Sequence, residues 1–138
     1  MTEIRSRSRL VEKYRSIVDN QRGHSLVLDL PKEQEGDDTG PTALELCVMS
    51  LAGCISTIYA VTASKMRMPI EYLEVIVEAE KNPEIGTIGK VKTLVRVKTS
   101  APEEQAKRAL EITLRNCPVG ILFKRAGVEA EYAIEVIK

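Results

Sequence analysis

Leu46-Cys47-Val48-Met49-Ser50-Leu51-Ala52-Gly53-Cys54-Ile55-Ser56-Thr57-Ile58-Tyr59-Ala60-Val61-Thr62-Ala63-Ser64 is a run of nineteen residues without a charge, Asn, Gln or Pro. As a helix it carries apolar residues nearly all the way round, the pattern of a segment buried on every side. A bilayer span needs about 20 predominantly apolar residues. Here Ser50, Gly53, Ser56, Thr57, Thr62 and Ser64 keep the stretch only mildly hydrophobic, and no second such stretch exists. It is therefore read as the central helix of a soluble core, with no membrane partner. A single domain of 138 residues has little chain left to enclose such a helix, so a homodimer that shares the task is expected.

The flanks fix the ends of this helix. Thr42-Ala43-Leu44-Glu45 has the spacing of a capping box, in which each end residue satisfies the other's backbone N–H. The helix then runs to about Arg67, where Pro69 stops it. Upstream, Leu10 to Asp19 reads as a strand, Asn20-Gln21-Arg22-Gly23 as a turn and Ser25 to Leu30 as the second strand of a hairpin. Pro31 to Gly40 is polar and reads as a loop.

Downstream, Leu73, Val75, Val77 and Ala79 alternate with Glu74, Ile76, Glu78 and Glu80, a half-buried strand. Val91, Thr93, Val95 and Val97 alternate with Lys92, Leu94, Arg96 and Lys98. The acidic outer face of one and the basic face of the other are explained by cross-strand pairing in a hairpin. Ser100 to Glu103 is a second candidate capping box, and Ala106, Leu110, Thr113, Leu114 and Cys117 recur on one helical face. Cys117-Pro118 breaks that helix, a short helix follows over Val119 to Ala126, and Val128 to Val136 forms the last strand. The expected class is α+β, an antiparallel sheet wrapped around a long buried helix in one domain spanning residues 1–138, with residues 1–9 frayed.

Twenty basic and twenty acidic residues cancel, and there is no Trp and one Phe. That leaves neither a basic field nor stacking platforms for nucleic acid. The spaced charges of Arg5, Arg7 and Arg9 fit a solvated terminus better than a phosphate-binding arm. No apolar signal segment follows Met1, so a cytoplasmic location is expected. Three cysteines in a cytosolic chain are not a disulfide framework, and with no C-x-x-C and a single His24 they do not form a metal site.

Cys47 and Cys54 lie seven residues apart on one helical face, about 10 Å from each other, too far to bridge. A contact between Cys54 and Cys117 is sterically open. Cys117 precedes Pro118 at the start of a helix, an environment that lowers a thiol pKa. Cys54 sits mid-helix, where burial raises a thiol pKa unless a cation is supplied. Buried cysteine is also an ordinary small core residue. The residues alone leave open which cysteine, if any, reacts.

Gly40-Pro41-Thr42-Ala43-Leu44-Glu45-Leu46, Ser50-Leu51-Ala52-Gly53-Cys54 and Asn116-Cys117-Pro118-Val119 together resemble the OsmC/Ohr family of osmotically inducible and organic hydroperoxide resistance proteins. Arg22 to Pro31 is a weaker echo. The resemblance implies an intertwined homodimer and a cysteine-based peroxidase of the oxidative-stress response. By it Cys54 is the peroxidatic thiolate, which takes an oxygen from a hydroperoxide to become a sulfenic acid. Cys117 is the resolving thiol, which closes a disulfide that an external dithiol reduces. No resident cofactor or metal is implied.

The family's assisting carboxylate and cation carry over to Glu45 and Arg22, with Arg125 in reserve. Glu45 lies nine residues before Cys54, about 13 Å along the helix, so any role at the thiol is played across a dimer. The cap explains Glu45 equally well, and an exposed turn residue is the ordinary reading of Arg22. Cys47 and His24 have no place in the motif. The alternative to a peroxidase is a small-molecule-binding or redox-sensing protein on the same scaffold.

Overall fold

The computed structural model describes residues 2–138, which form two compact units, one reaching Cys47 and the other starting at Val48. The first holds a three-stranded antiparallel sheet in the order β1 (Arg7–Glu12), β2 (Arg15–Asp19), β3 (Ser25–Leu28). Two strands thus stand where one was expected over Leu10 to Asp19. The chain reverses at Lys13, whose φ of 46° is left-handed, and β1 folds back on β2. That pairing also orders Arg7 to Arg9, part of the stretch expected to fray, and Arg7 meets Asp19 at 3.3 Å. Residues 2–6 form no regular element, and Met1 lies outside the described residues.

The expected hairpin is present between β2 and β3. Asn20 closes its turn by donating its N–H to the His24 carbonyl and accepting from the N–H groups of Arg22 and His24 at 3.1 and 3.2 Å. The following loop contains one 3₁₀ turn, Lys32–Gln34, and is pinned by a buried carboxylate. Asp29 accepts from Leu30 N–H at 2.8 Å, Thr39 N–H at 3.1 Å and Thr39 Oγ1 at 2.6 Å. The Thr39 hydroxyl first, then the backbone donors and the nearby Arg15, hold this carboxyl down at about 2 despite its burial. Arg15 Nε donates to Thr39 Oγ1 at 2.9 Å, so β2 and the loop share one polar knot. Gly40, which leads into the helix, has no room for a side chain: a Cβ there would sit 2.2 Å from the Val27 carbonyl oxygen.

Helix α1 (Ala43–Lys65) starts as its sequence requires. Glu45 N–H donates to Thr42 Oγ1 at 3.1 Å, and Thr42 N–H to Glu45 Oε1 at 2.9 Å. It ends in a Schellman turn, slightly before Arg67. Arg67 takes a φ of 55°, its N–H donates to Ser64 O at 3.1 Å, and Met68 N–H donates to Ala63 O at 2.8 Å.

Within the second unit α1 is not buried on every side. Leu51, Ile55, Tyr59, Thr62 and Ala63 form a buried stripe at helical spacing. Met49, Ser50, Gly53, Thr57, Ala60, Val61 and Ser64 are exposed, Met49 at 54% and Val61 at 46%. These exposed residues carry no charge. Tyr59 lies fully within the core and donates its hydroxyl to Ala106 O at 2.9 Å.

The second sheet runs β4 (Tyr72–Asn82), β5 (Thr87–Lys98), β6 (Glu129–Ile137), with β5 central. The β4–β5 hairpin has the anticipated charge pairing, Glu74 opposite Arg96 and Glu78 opposite Lys92. The sheet is mixed and not antiparallel, because β6 returns parallel to β5. A crossover through α2 (Glu103–Asn116) and α3 (Pro118–Arg125) carries the chain back to the start of the strand, which makes a parallel pair possible. The basic strand therefore lies between two acidic ones, Arg96 bonding Glu74 at 3.0 Å and Glu135 at 3.2 Å.

The second capping box does not form. Pro102 precedes α2 without a side-chain cap, and Thr99 Oγ1, not Ser100, receives the Ala101 N–H at 3.1 Å.

Candidate active site

Cys117 ends α2 and caps α3, and Pro118 opens α3 at its first position. Its backbone is extended, at φ −79° and ψ 107°, as a residue before proline requires. The side chain consequently turns into the interior, where it is fully buried. Its sulfur accepts the Gly120 N–H at 3.3 Å and so caps α3.

Cys54 lies on α1, one residue before the buried Ile55, and is itself half-buried. The Cys54 and Cys117 sulfurs are 3.0 Å apart, with the Cys117 thiol donating to Cys54. The geometry thus brings together the two cysteines that the sequence left free to meet.

The electrostatics of Cys117 differ from the reading of its sequence. Burial first, and then the hydrogen bond it gives to Cys54, push its thiol up to about 11. The Gly120 and Val119 N–H groups pull the other way and are outweighed. At neutral pH Cys117 is the protonated donor of the pair, and Cys54 is the acceptor.

Glu45 is exposed and engaged with Thr42 in the helix cap. Arg22 is exposed in the β2–β3 turn, held by its backbone. Arg125 closes α3 and is exposed, Cys47 is exposed on α1, and His24 Nδ1 lies 2.9 Å from Asn20 Nδ2 in the turn. Among the described residues no three His, Cys, Asp or Glu side chains group as metal donors.

Next to Cys117, across Gly120, α2, α3 and β6 line a groove of about 640 Å³. Leu114, Ile121, Phe123 and Val128 make it apolar, Arg115 and Lys124 add charge, and Gly120 and Tyr132 also line it. A Cβ on Gly120 would stand 3.4 Å from the Cys117 sulfur, so this wall of the groove is one backbone thick at the thiol. Gly120 and Tyr132 were not distinguishable in the sequence. Gly120 could have been found as the third residue of a helix capped by Cys117, where a free N–H points at the cap. Tyr132 shows only strand alternation.

A sequence profile described as OsmC-like protein matches residues 36–132. None of the curated proteins matches the chain by sequence. Among solved structures, the fold is similar to an OsmC-like protein from Mycoplasma pneumoniae, with a TM-score of 0.88, 15% identity and coverage of 99% of both chains. It is similar to an organic hydroperoxide resistance protein OsmC from Legionella pneumophila, at a TM-score of 0.72 and 16% identity, covering 99% of this chain and 98% of that one. The organic hydroperoxide resistance protein OhrB of Bacillus subtilis gives a TM-score of 0.67 at 16% identity, over 97% of this chain and 98% of that one.

Proposed function

Since this chain belongs to the OsmC-like family, whose α+β fold it has, we propose that it is a thiol-dependent peroxidase that reduces organic hydroperoxides. The 3.0 Å approach of the Cys54 and Cys117 sulfurs carries this reading. Family membership supports a redox or stress role, and the names of the Legionella and Bacillus proteins point to hydroperoxides.

In the proposed cycle Cys54 attacks as thiolate, the O–O bond breaks, an alcohol leaves, and Cys54 becomes a sulfenic acid. Cys117, already in contact, displaces hydroxide as water and closes the Cys54–Cys117 disulfide. An external dithiol then reduces it by exchange, and no resident cofactor is needed. Cys117 donates a hydrogen bond to Cys54 in the resting pair, which suits a resolving thiol that waits protonated. Glu45 and Arg22 are the proposed assisting carboxylate and cation, acting across a homodimer. That dimer is supported by the uncharged, exposed face of α1. The protein is assigned to the cytoplasm, with no nucleic acid or membrane partner.

Purified protein should consume cumene hydroperoxide in the presence of a dithiol, and Cys54→Ser should abolish turnover. Wild-type protein without turnover, or a Cys54→Ser variant that retains it, overturns the assignment. The engagement of Glu45 in the helix cap favours a second reading, a redox sensor that forms the same disulfide without turning over.

A further inference from the structure

The two sulfurs that meet are not equally open to solvent. Cys117 is 0% exposed, whereas Cys54 is only half-buried. A disulfide holds its sulfurs about 2.05 Å apart, so joining a pair that already stands at 3.0 Å takes a movement of about 1 Å. A shift of that size gives Cys117 no path to the surface, and the oxidised pair is as one-sided as the reduced one.

Reduction by exchange needs a thiolate to reach one of the two sulfurs, and both access and the leaving group decide which. The two criteria oppose each other here. Attack on Cys54 expels Cys117, whose thiol, raised to about 11, is a slow leaving group. Attack on Cys117 requires the core to open first. A poor leaving group slows exchange by a finite factor, but a sulfur without exposed surface reacts only from the small open population. Access therefore wins. The Gly120 N–H, 3.3 Å from the Cys117 sulfur, and the Val119 N–H oppose the rise in its pKa and are placed to receive the departing thiolate.

We infer that the external reductant enters at Cys54 alone, through a mixed disulfide on that residue, and that Cys117 completes the cycle without meeting solvent. The inference rests on the peroxidase reading above and adds to it the sulfur at which the disulfide is opened. A bond forms between one reductant sulfur and Cys54 as the Cys54–Cys117 bond breaks, and its electron pair leaves on Cys117. The Cys117 thiolate takes the proton of the reductant's second thiol. That second sulfur, now a thiolate, attacks the first, closes the reductant's own disulfide and expels Cys54 as thiolate. The dithiol loses two electrons, the protein gains them, and Cys117 is again the hydrogen-bond donor. A monothiol has no second sulfur, and its adduct on Cys54 stays beside Cys117, which displaces it and closes the protein disulfide again. Dithiols are therefore the effective class of reductant.

The test is run in a Cys47→Ser background, because Cys47 is exposed. Protein oxidised with diamide is treated with 2-mercaptoethanol, quenched in acid and mapped by peptide mass spectrometry. The adduct is expected on Cys54, and an adduct on Cys117 overturns the inference. A second arm reads the same exchange in reverse on reduced protein carrying one further change, Cys117→Ser or Cys54→Ser. With dithiobis-nitrobenzoate, Cys54 in the first should react about a hundredfold or more faster than Cys117 in the second, and mild urea should speed only Cys117, whose reaction waits on opening of the core. Comparable rates overturn the inference. Where no adduct accumulates, these rates decide, and where Cys54→Ser does not fold, the adduct map decides.

Neither arm uses a hydroperoxide, which separates this inference from the peroxidase reading. Protein that consumes no hydroperoxide but carries the adduct on Cys54 keeps the point of entry and removes the peroxidase. Turnover with the adduct on Cys117 keeps the peroxidase and removes the point of entry.

Discussion

Cys54 and Cys117, 63 residues apart in the chain, hold their sulfurs 3.0 Å from each other, with the Cys117 thiol as hydrogen-bond donor. A stoichiometric pulse of hydroperoxide should therefore join these two in one disulfide that does not include Cys47. Peptide mass spectrometry after alkylation reads this directly. A Cys47–Cys54 or Cys47–Cys117 product in place of the expected one contradicts the assignment.

The raised thiol of Cys117 gives a signature in alkaline solution. With a folded pKa of about 11 against an ordinary 9, the native state holds a proton that the unfolded chain releases between those values. Its contribution to stability is complete below about pH 9 and is lost as pH rises toward 11. The denaturation midpoint should fall across that window in wild type, and by less in Cys117→Ser.

Asp29 predicts the opposite slope in acid. Its folded carboxyl titrates at about 2 against an ordinary 3.8, so its contribution is present above about pH 4 and fades as pH drops through 2. Asp29→Asn should lower Tm at pH 7, and the gap to wild type should close toward pH 2. Thermal melts at a series of pH values decide the point.

Gly53 tests the dimer. A Cβ at this exposed position of α1 meets nothing within 4 Å, so within one chain Gly53→Ala should stabilise the helix by about 0.5–1 kcal/mol. If a second copy covers this face, Gly53→Leu should split the assembly. Sedimentation of wild type as a dimer and of Gly53→Leu as a monomer is the expected result, and monomeric wild type refutes it.

The Thr42–Glu45 box separates capping from catalysis. Thr42→Ala removes one capping bond and should cost about 1 kcal/mol, and Glu45→Ala a comparable amount. If Glu45 also assists the thiol, Glu45→Ala lowers the peroxidase rate well beyond Thr42→Ala at equal stability. Equal rates assign Glu45 to the cap alone.

Local chemistry was the legible part of this chain. The α1 cap, the extended backbone at Cys117 with Pro118 opening α3, and the charge pairing of β4 with β5 all rest on residues within a few positions, or on a simple alternation. The single strand expected over Leu10 to Asp19 failed because a left-handed Lys13 carries no mark in composition. Ser100 failed as a cap because α2 starts only at Glu103, with Pro102 and not Ser100 at the cap position. The parallel return of β6 was invisible because strand direction is set by the crossover before it and not by its own residues. Arg15 and Asp29 passed unnoticed, since burial of Asp29 by the fold, and not its identity, makes it the centre of the knot.

By itself the sequence determined the α+β class, the long helix and its cap, and the thiol placed at a helix break, because short-range sterics and hydrogen bonding act on neighbouring residues. The tertiary structure decided which sulfurs meet and which thiol burial raises. Those outcomes depend on desolvation and on distances between elements far apart in the chain, and no local pattern encodes either.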